Sequence, residues 1–212
     1  QDGLPPGLLL AYYGDDFTGS TDVMDAFAAA GLPTVLFLTP PDAQALHRFP
    51  QARAVGLAGT ARSHDPAWMD AELPAAFAAL AALGAPLLHY KVCSTFDSSP
   101  TVGSIGRAID LGAPLMRGGW VPMVVGAPRL QRYQLFGHLF AAVDGVGHRL
   151  DRHPTMARHP VTPMAEADLT RHLAAQTSRR IGLIDLPTLK AGRAADRLAA
   201  LQGDDVPVLA LD

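Results

Sequence analysis

Short apolar runs recur along the whole chain, and most are separated by Ala- and Leu-rich stretches of helical period. Each run is apolar at successive positions, whereas a strand with one solvated face would alternate apolar and polar residues. The pattern therefore predicts a single-domain α/β fold, with an open, mostly parallel sheet and helices on both faces. The seven predicted strands are Leu8–Tyr13, Thr34–Leu38, Ala54–Ala58, Leu87–Val92, Val121–Val125, Ile181–Asp185 and Val206–Leu211.

Local signals indicate where helices lie between these strands. A helix is predicted over Thr21–Ala30. Thr21 and Asp22 supply a hydroxyl and a carboxylate at its start, and Gly31 follows its end. Pro163 is predicted to open a later helix. The segment Gly126–Arg158 mixes Gly, Arg, His and Tyr without a sustained period. We therefore expect a long irregular connection there, with a short helix around Phe136–Ala142.

Charge and composition exclude several classes of protein. The chain carries 17 Lys and Arg against 20 Asp and Glu, a formal charge of −3, so a nucleic-acid partner is not expected. Only 17% of the residues are charged and 49% are hydrophobic, which excludes a disordered chain. The longest apolar stretch, Leu73–Leu88, is interrupted by prolines and falls short of the ~20 residues that span a bilayer.

Two further features indicate a cytoplasmic protein. Cys93 is the single cysteine and has no partner for an internal disulfide. The N-terminal residues Gln1, Asp2 and Gly3 lack the charged and apolar regions of a signal peptide.

A polar turn follows the first predicted strand and leads towards the first predicted helix. It runs from Gly14 to Asp22 and holds two adjacent carboxylates, Asp15 and Asp16, among glycines and hydroxyls. In an open parallel sheet, ligands bind beyond the carboxyl ends of the strands. Such residues can also simply cap a solvated turn. We favour a ligand site, because adjacent carboxylates repel each other and the glycines let the backbone approach a bound molecule.

Two other strand ends carry polar residues. Arg62 follows the third predicted strand and is either an anchor for an anionic group or an ordinary surface arginine. Lys91 lies at the end of the fourth predicted strand. A buried ammonium at this position would need a partner, whereas a lysine whose ammonium reaches solvent would bury only its apolar stem. The serines and threonines after Lys91 favour recognition of a polyol, which needs many short donors and acceptors.

Other templates for chemistry are missing from the sequence. It contains neither a phosphate-binding loop nor a Gly-x-Gly-x-x-Gly dinucleotide motif, so no ATP site is indicated within this chain. The histidines show no metal-ligand pairing, and the spacing of His153 and His159 is too weak a signal to predict a metal site. Cys93 has no surrounding Cys–His signature and is interpreted as a small core thiol.

Three segments, taken together, carry a family resemblance: Gly14–Asp22, Tyr90–Ser98 and His159–Met164. They resemble the four-carbon acid sugar kinase family, and most of all its 3-oxo-tetronate and 3-oxo-isoapionate kinase branch. The resemblance implies two α/β domains, of which the first binds the sugar acid and the second binds ATP. It covers essentially all of this chain but only the first of those domains.

The chain departs from other members of this family in two ways. Other branches carry Asp in place of Cys93 and an Arg-Gly-Asn run in place of Asp97-Ser98-Ser99, so their substrates do not transfer to this chain. A family member would also continue beyond Asp212 for about as long again. We therefore expect an N-terminal fragment, with a sugar-acid-binding domain over residues 1–212 and no efficient phosphate transfer by itself.

By resemblance, the full enzyme transfers the γ-phosphoryl group of ATP to a terminal hydroxyl of a short sugar acid. Asp16 would accept or orient the hydroxyl proton, with Asp15 as the alternative for that role or as a ligand to substrate hydroxyls. Mg²⁺ would arrive with ATP. The expected partner is this small-molecule sugar acid, with a homodimer left open. The substrate-binding residues that the resemblance implies are Asp15, Thr18, Arg62, Lys91, Ser94, Thr95 and His159.

Two alternatives from other classes remain at this point. The chain could be a non-catalytic sugar-acid-binding module that stands alone, which the length of the natural reading frame would reveal. It could also be a hydrolase that uses the paired aspartates with a metal, which predicts bound metal in the purified chain without nucleotide.

Overall fold

In the computed structural model, which describes residues 3–212, the chain forms two compact units. The first runs up to Val92 and includes Pro114–Met116. The second contains Cys93–Ala113 and continues from Arg117 to Asp212. Gln1 and Asp2, where the sequence shows no signal-peptide pattern, lie outside the described residues. One sugar-acid-binding domain over residues 1–212 stays a prediction.

The first unit contains a four-stranded, wholly parallel sheet with the strand order β2-β3-β1-β4. Gly14 pairs with Ala58 on one side and with Lys91 on the other, so three of the strands end at the same level. The elements of this unit are β1 (Leu10–Gly14), α1 (Phe17–Ala29), β2 (Thr34–Phe37), α2 (Ala43–His47), β3 (Ala54–Ala58), α3 (Pro66–Ala81) and β4 (Leu87–Lys91).

Helices cover both faces of this sheet. Successive side chains of a strand point to opposite faces. Tyr12 packs in one cluster with Val23 and Phe27 of α1, whereas the ring of Tyr13 meets Phe77 of α3 edge-on, with 5.6 Å between ring centroids. The predicted α/β class, with parallel strands between two helical layers, is confirmed in this unit.

The second unit contains two separate three-stranded sheets. One is parallel, with the order β5-β10-β9, and the other is antiparallel, with the order β6-β7-β8. Its strands are β5 (Val121–Met123), β6 (Arg132–Leu135), β7 (His138–Val143), β8 (Val146–Arg149), β9 (Ile181–Ile184) and β10 (Val208–Leu211), and its helices are α4 (Ile105–Gly112), α5 (Leu169–Ala174), α6 (Leu186–Lys190) and α7 (Ala194–Leu201). All seven predicted strands are present, and they divide between two parallel sheets.

The prediction of an irregular connection with a short helix around Phe136–Ala142 is wrong, because an antiparallel sheet occupies that stretch. Both of its hairpins turn through two residues with positive φ, Phe136-Gly137 and Asp144-Gly145. Turns of this kind match the right-handed twist of paired strands. Asp-Gly is a strong hairpin signal, and the mixed composition around it obscured the strands.

Two predicted helix starts are also wrong. The first helix begins at Phe17 rather than Thr21, because the carboxylate of Asp16 caps it. The later helix begins at Leu169 rather than Pro163, with Asp168 as its N-cap. The backbone before Leu169 is held in an extended form beside β7, where the isolated bridge from Asp168 to His138 forms.

None of the helices within residues 3–212 combines the length and the apolar character that crossing a membrane would require.

Candidate functional site

The carboxyl ends of three neighbouring strands in the first unit lie side by side, at Gly14 of β1, Ala58 of β3 and Lys91 of β4. The backbone N–H of Asp15 donates to the carbonyl oxygen of Lys91, and that of Arg62 donates to the carbonyl oxygen of Asp15. Residues that are distant in sequence therefore meet at one edge of the sheet. The structure brings together four of the predicted site residues: Asp15, Asp16, Arg62 and Lys91.

Arg62 binds both aspartates at once. Its Nη2 and Nε donate to the two carboxylate oxygens of Asp15, over 2.6 Å and 3.1 Å. Its Nη1 donates to Oδ2 of Asp16 over 2.7 Å. A planar guanidinium suits this two-pronged contact, and its charge offsets the repulsion between adjacent carboxylates. The contact fixes the two carboxylates relative to each other.

The two aspartates differ in their access to solvent. Asp15 is only 2% exposed. Burial raises its pKa to about 6, although hydrogen bonds and charge from Arg62 oppose that rise. The side chain of Asp16 is 31% exposed, so it reaches the surface of the site. A molecule in the site would therefore meet Asp16 before it meets Asp15.

The first turn of α1 is built on Asp16. Its Oδ1 accepts a hydrogen bond from the backbone N–H of Gly19 over 2.6 Å, which caps the helix. The hydroxyl of Ser20 donates to the Asp16 carbonyl oxygen over 2.6 Å. Thr18, another predicted site residue, is exposed on this turn. The helix N-terminus adds a partial positive charge at the same place.

Gly19 lies at the point where the charged groups converge. A Cβ on this residue would lie 2.7 Å from Asp16 Oδ1, 3.3 Å from Lys91 Nζ and 3.7 Å from Arg62 Nη2. The first of these distances is too short for a real side chain. A side chain at this position would therefore force the Asp16 carboxylate to shift, whereas glycine lets the three charged groups lie close to its bare backbone.

Lys91 supplies the second positive charge. Its Nζ donates to the carbonyl oxygen of Val92 over 2.6 Å and lies 4.0 Å from Oδ2 of Asp22. The side chain is 20% exposed. An ammonium carries three N–H donors, so one carbonyl partner leaves donor capacity for a carboxylate. Asp22, the last residue of the polar turn identified in the sequence, lies one turn after Gly19 and therefore shares its face.

Ser94, Thr95 and His159 belong to the second unit. Ser94 is half-buried in a turn, and the hydroxyl of Thr95 donates to Oδ1 of Asp97 over 2.7 Å. Nδ1 of His159 accepts the backbone N–H of Thr162 over 3.0 Å, which closes the loop around it. Thr95 and His159 have local structural partners, and a substrate role for the three residues stays a prediction.

The loop that contains Thr95 also contains Ser98, whose side-chain partners the sequence did not indicate. The buried hydroxyl of Ser98 lies 3.0 Å from Nε2 of His172 and accepts a hydrogen bond from Nε2 of Gln176 over 2.9 Å. Burial lowers the pKa of His172. Both partners lie far along the chain, and no local motif connects them to Ser98.

The paired aspartates are poorly arranged for a resident metal. Both carboxylates of Asp15 and Asp16 are bound by Arg62. Within residues 3–212, no group of three or more His, Cys, Asp or Glu side chains could hold a metal ion. The hydrolase alternative stays a prediction for a measurement of bound metal, because Mg²⁺ often takes only one or two protein carboxylates.

Known proteins are similar to this chain over nearly its whole length. The family model for a sugar-binding N-terminal domain matches residues 10–212. A 3-oxo-isoapionate kinase of Paraburkholderia graminis is 67% identical over 98% of this chain and 44% of its own length. A 3-oxo-tetronate kinase of Burkholderia multivorans is 35% identical over 96% of this chain and 46% of its own length. The chain thus spans about half the length of these curated relatives.

A solved structure shows the same fold. A protein from Salmonella typhimurium superposes with a TM-score of 0.86 at 28% identity, over 97% of this chain and 48% of that one.

Proposed function

The chain belongs to the family of sugar-binding N-terminal domains found in four-carbon acid sugar kinases, and on that premise we propose that it binds the sugar-acid substrate of such a kinase. The observation that carries the proposal is the cluster of Asp15, Asp16, Arg62 and Lys91 beyond the strand ends of the first unit. It combines a partly exposed carboxylate with positive charge, which suits a ligand that carries both hydroxyls and a carboxylate.

In the proposed reaction, Asp16 acts on the terminal hydroxyl of the substrate. Its carboxylate is the more exposed of the pair, and Arg62 and the Gly19 amide hold it in one orientation. As the hydroxyl oxygen attacks the γ-phosphorus of ATP, Asp16 accepts the hydroxyl proton and ADP leaves. Asp15 is buried behind it and keeps Arg62 in place.

Lys91 reads the substrate carboxylate in this proposal. Arg62 is also an expected anchor, but three of its nitrogens are already directed at Asp15 and Asp16. We therefore assign Arg62 mainly to the orientation of the aspartates. Lys91, with one backbone carbonyl as its nearest acceptor, supplies the charge that the ligand meets.

The proposal places the ATP site outside the 212 residues of this chain, on a full-length kinase that includes them, which we call the longer protein. Relatives that are named kinases are about twice as long as this chain, and the sequence has no phosphate-binding loop. Mg²⁺ would accompany the ATP phosphates. A cytoplasmic location and a homodimer likewise remain predictions.

Substrate choice is the finer part of the proposal. The identity to the 3-oxo-isoapionate kinase is 67%, against 35% for the 3-oxo-tetronate kinase. We therefore assign a 3-oxo-isoapionate-like acid as the preferred substrate, ahead of 3-oxo-tetronate.

Two measurements test this function. Calorimetry on the 212-residue chain should show binding of the sugar acid and no tight binding of ATP. A steady-state assay of the longer protein should show ATP-dependent phosphorylation, with a higher kcat/KM for 3-oxo-isoapionate than for 3-oxo-tetronate. Tight ATP binding to the 212-residue chain would contradict the assignment of ATP binding to the rest of the longer protein. Binding of the acid by a protein whose natural reading frame ends near Asp212 would favour the non-catalytic module.

A further inference from the structure

One buried hydroxyl fastens the first turn of α1 to the sheet. Tyr12 Oη donates to the carbonyl oxygen of Ser20 over 3.0 Å, and both residues are fully buried. Burial raises the pKa of Tyr12 to about 12, so the hydroxyl keeps its proton and remains a donor at neutral pH. The bond joins the interior of β1 to the helix turn that carries the site.

Two glycines allow this close approach. A Cβ on Gly56 would lie 2.1 Å from Cζ of Tyr12, so the tyrosine ring rests directly on the bare backbone of β3. A Cβ on Gly14 would lie 1.9 Å from Oγ and 2.9 Å from Cα of Ser20. Side chains at either glycine would push the ring or the helix away. The turn is therefore seated on the sheet at a distance that the tyrosine hydroxyl can bridge.

The same turn determines where Asp16 lies. The Ser20 hydroxyl donates to the Asp16 carbonyl oxygen, and the Gly19 amide donates to the Asp16 carboxylate, both over 2.6 Å. A shift of Ser20 would therefore be passed to both ends of Asp16.

We propose that Tyr12 is a positioning residue for the site, and that it sets the placement of Asp16 through Ser20. Its importance for substrate rests on the proposed function, whereas its effect on the turn can be measured without any ligand. Tyr12 does not reach the surface, so it cannot contact substrate itself.

The test compares Tyr12→Phe with a matched control, Thr34→Val. The first change keeps the ring and removes only the hydroxyl. The control also removes a hydroxyl that donates to a backbone carbonyl, that of Leu32, but at the opposite end of the same sheet. The Thr34 bond is the less buried of the two, so the variants are compared by their effect on the Gly19 amide rather than by their loss of stability.

Amide hydrogen exchange, followed by NMR, is the readout that does not depend on substrate. We expect the Gly19 amide to exchange about threefold to tenfold faster in Tyr12→Phe, the range that corresponds to one lost hydrogen bond, and to be unchanged in Thr34→Val. Equal exchange of Gly19 in the wild type and Tyr12→Phe would overturn the inference. Ser20→Ala removes the hydroxyl bond to the Asp16 carbonyl oxygen and leaves the bond from Tyr12 in place. It should also speed Gly19 exchange, and unchanged exchange in this variant would overturn the proposed route through Ser20.

A kinetic readout on the longer protein links the turn to the reaction. Tyr12→Phe should lower kcat by a larger factor than it raises KM, because a displaced Asp16 affects proton transfer more than binding. A loss confined to thermal stability, with kcat unchanged below the melting temperature, would reduce Tyr12 to a structural role. Faster Gly19 exchange in a protein that phosphorylates no sugar acid would keep the inference about the turn and reject the proposed function.

Discussion

The carboxylate of Asp15 is held by two nitrogens of Arg62, at 2.6 Å and 3.1 Å, although the aspartate is almost fully buried. A buried carboxylate without such a partner would be strongly destabilising. Because Arg62 also reaches Asp16, the pair gives the site a rigid base from which one carboxylate projects. The predictions below separate the roles of these groups.

Asp16→Asn should lower kcat of the longer protein by ~10²-fold or more, because general-base catalysis contributes about 10²- to 10⁴-fold. KM for the sugar acid should change much less, since the amide keeps the size of the side chain. The control is Asp25→Asn, an exposed carboxylate on the same helix. Near-normal turnover of Asp16→Asn would transfer the proton-accepting role to Asp15.

Asp15→Asn should change how stability depends on pH. The folded-state pKa of Asp15 is raised to about 6, above its ordinary value of 3.8. Its contribution to stability is therefore fully present below about pH 4 and is lost as the pH rises through 6, by an amount on the order of 2 to 3 kcal/mol. The stability of the wild type relative to Asp15→Asn should accordingly fall across this window.

Urea denaturation of both proteins at several pH values measures that difference. Asp65→Asn, which removes an exposed carboxylate that caps α3, is the control and should keep the wild-type slope in this window. A difference between wild type and Asp15→Asn that does not vary between pH 4 and pH 7 would contradict the raised pKa.

Lys91→Met should weaken binding of the sugar acid by about tenfold to a hundredfold, the range expected for loss of a charge-assisted hydrogen bond. The methionine keeps an apolar stem, so the unliganded unit should stay folded. Calorimetry should compare the acid with its uncharged amide, and Lys190→Met, a change to an exposed lysine, is the control. Equal losses for acid and amide would place Lys91 away from the carboxylate.

Gly19→Ala should impair the site although alanine favours helices by about 1 kcal/mol. The added Cβ would collide with Asp16 Oδ1 and press on Lys91 Nζ, so affinity for the sugar acid should fall. Gly147→Ala, where a Cβ would meet no atom within 4 Å, should leave the affinity unchanged. Unaltered affinity in Gly19→Ala would show that binding does not depend on the placement of Asp16 and Lys91 beside this residue.

The parts of the fold that could be predicted from sequence depend on strong local patterns. Runs that are apolar on both faces located all the parallel strands, and the rule that parallel strands end together grouped Asp15, Arg62 and Lys91. The partner of Arg62 could not be predicted in this way. Arg62 binds the two aspartates. Whether it would bind them or a ligand depends on side-chain directions that are set only when the sheet has assembled.

The wrong helix start and the missed hairpin have different physical causes. The first helix begins before Thr21 because the Asp16 carboxylate caps it. The same carboxylate also accepts from Arg62, since one carboxylate has enough acceptor sites for both contacts. Around Asp144-Gly145, the mixed composition concealed a strong hairpin signal.

The antiparallel sheet β6–β8 has a consequence for how the second unit folds. Its three strands follow one another between Arg132 and Arg149 through two-residue turns, whereas Val208 of β10 must find Val121 of β5 across most of the unit. Closing short loops costs less chain entropy, so local pairings form earlier. We expect pulsed hydrogen exchange to show protection of the Phe140 amide before that of Val208. The antiparallel sheet β6–β8 would then be the first part of the second unit to fold, and its parallel strands would assemble afterwards.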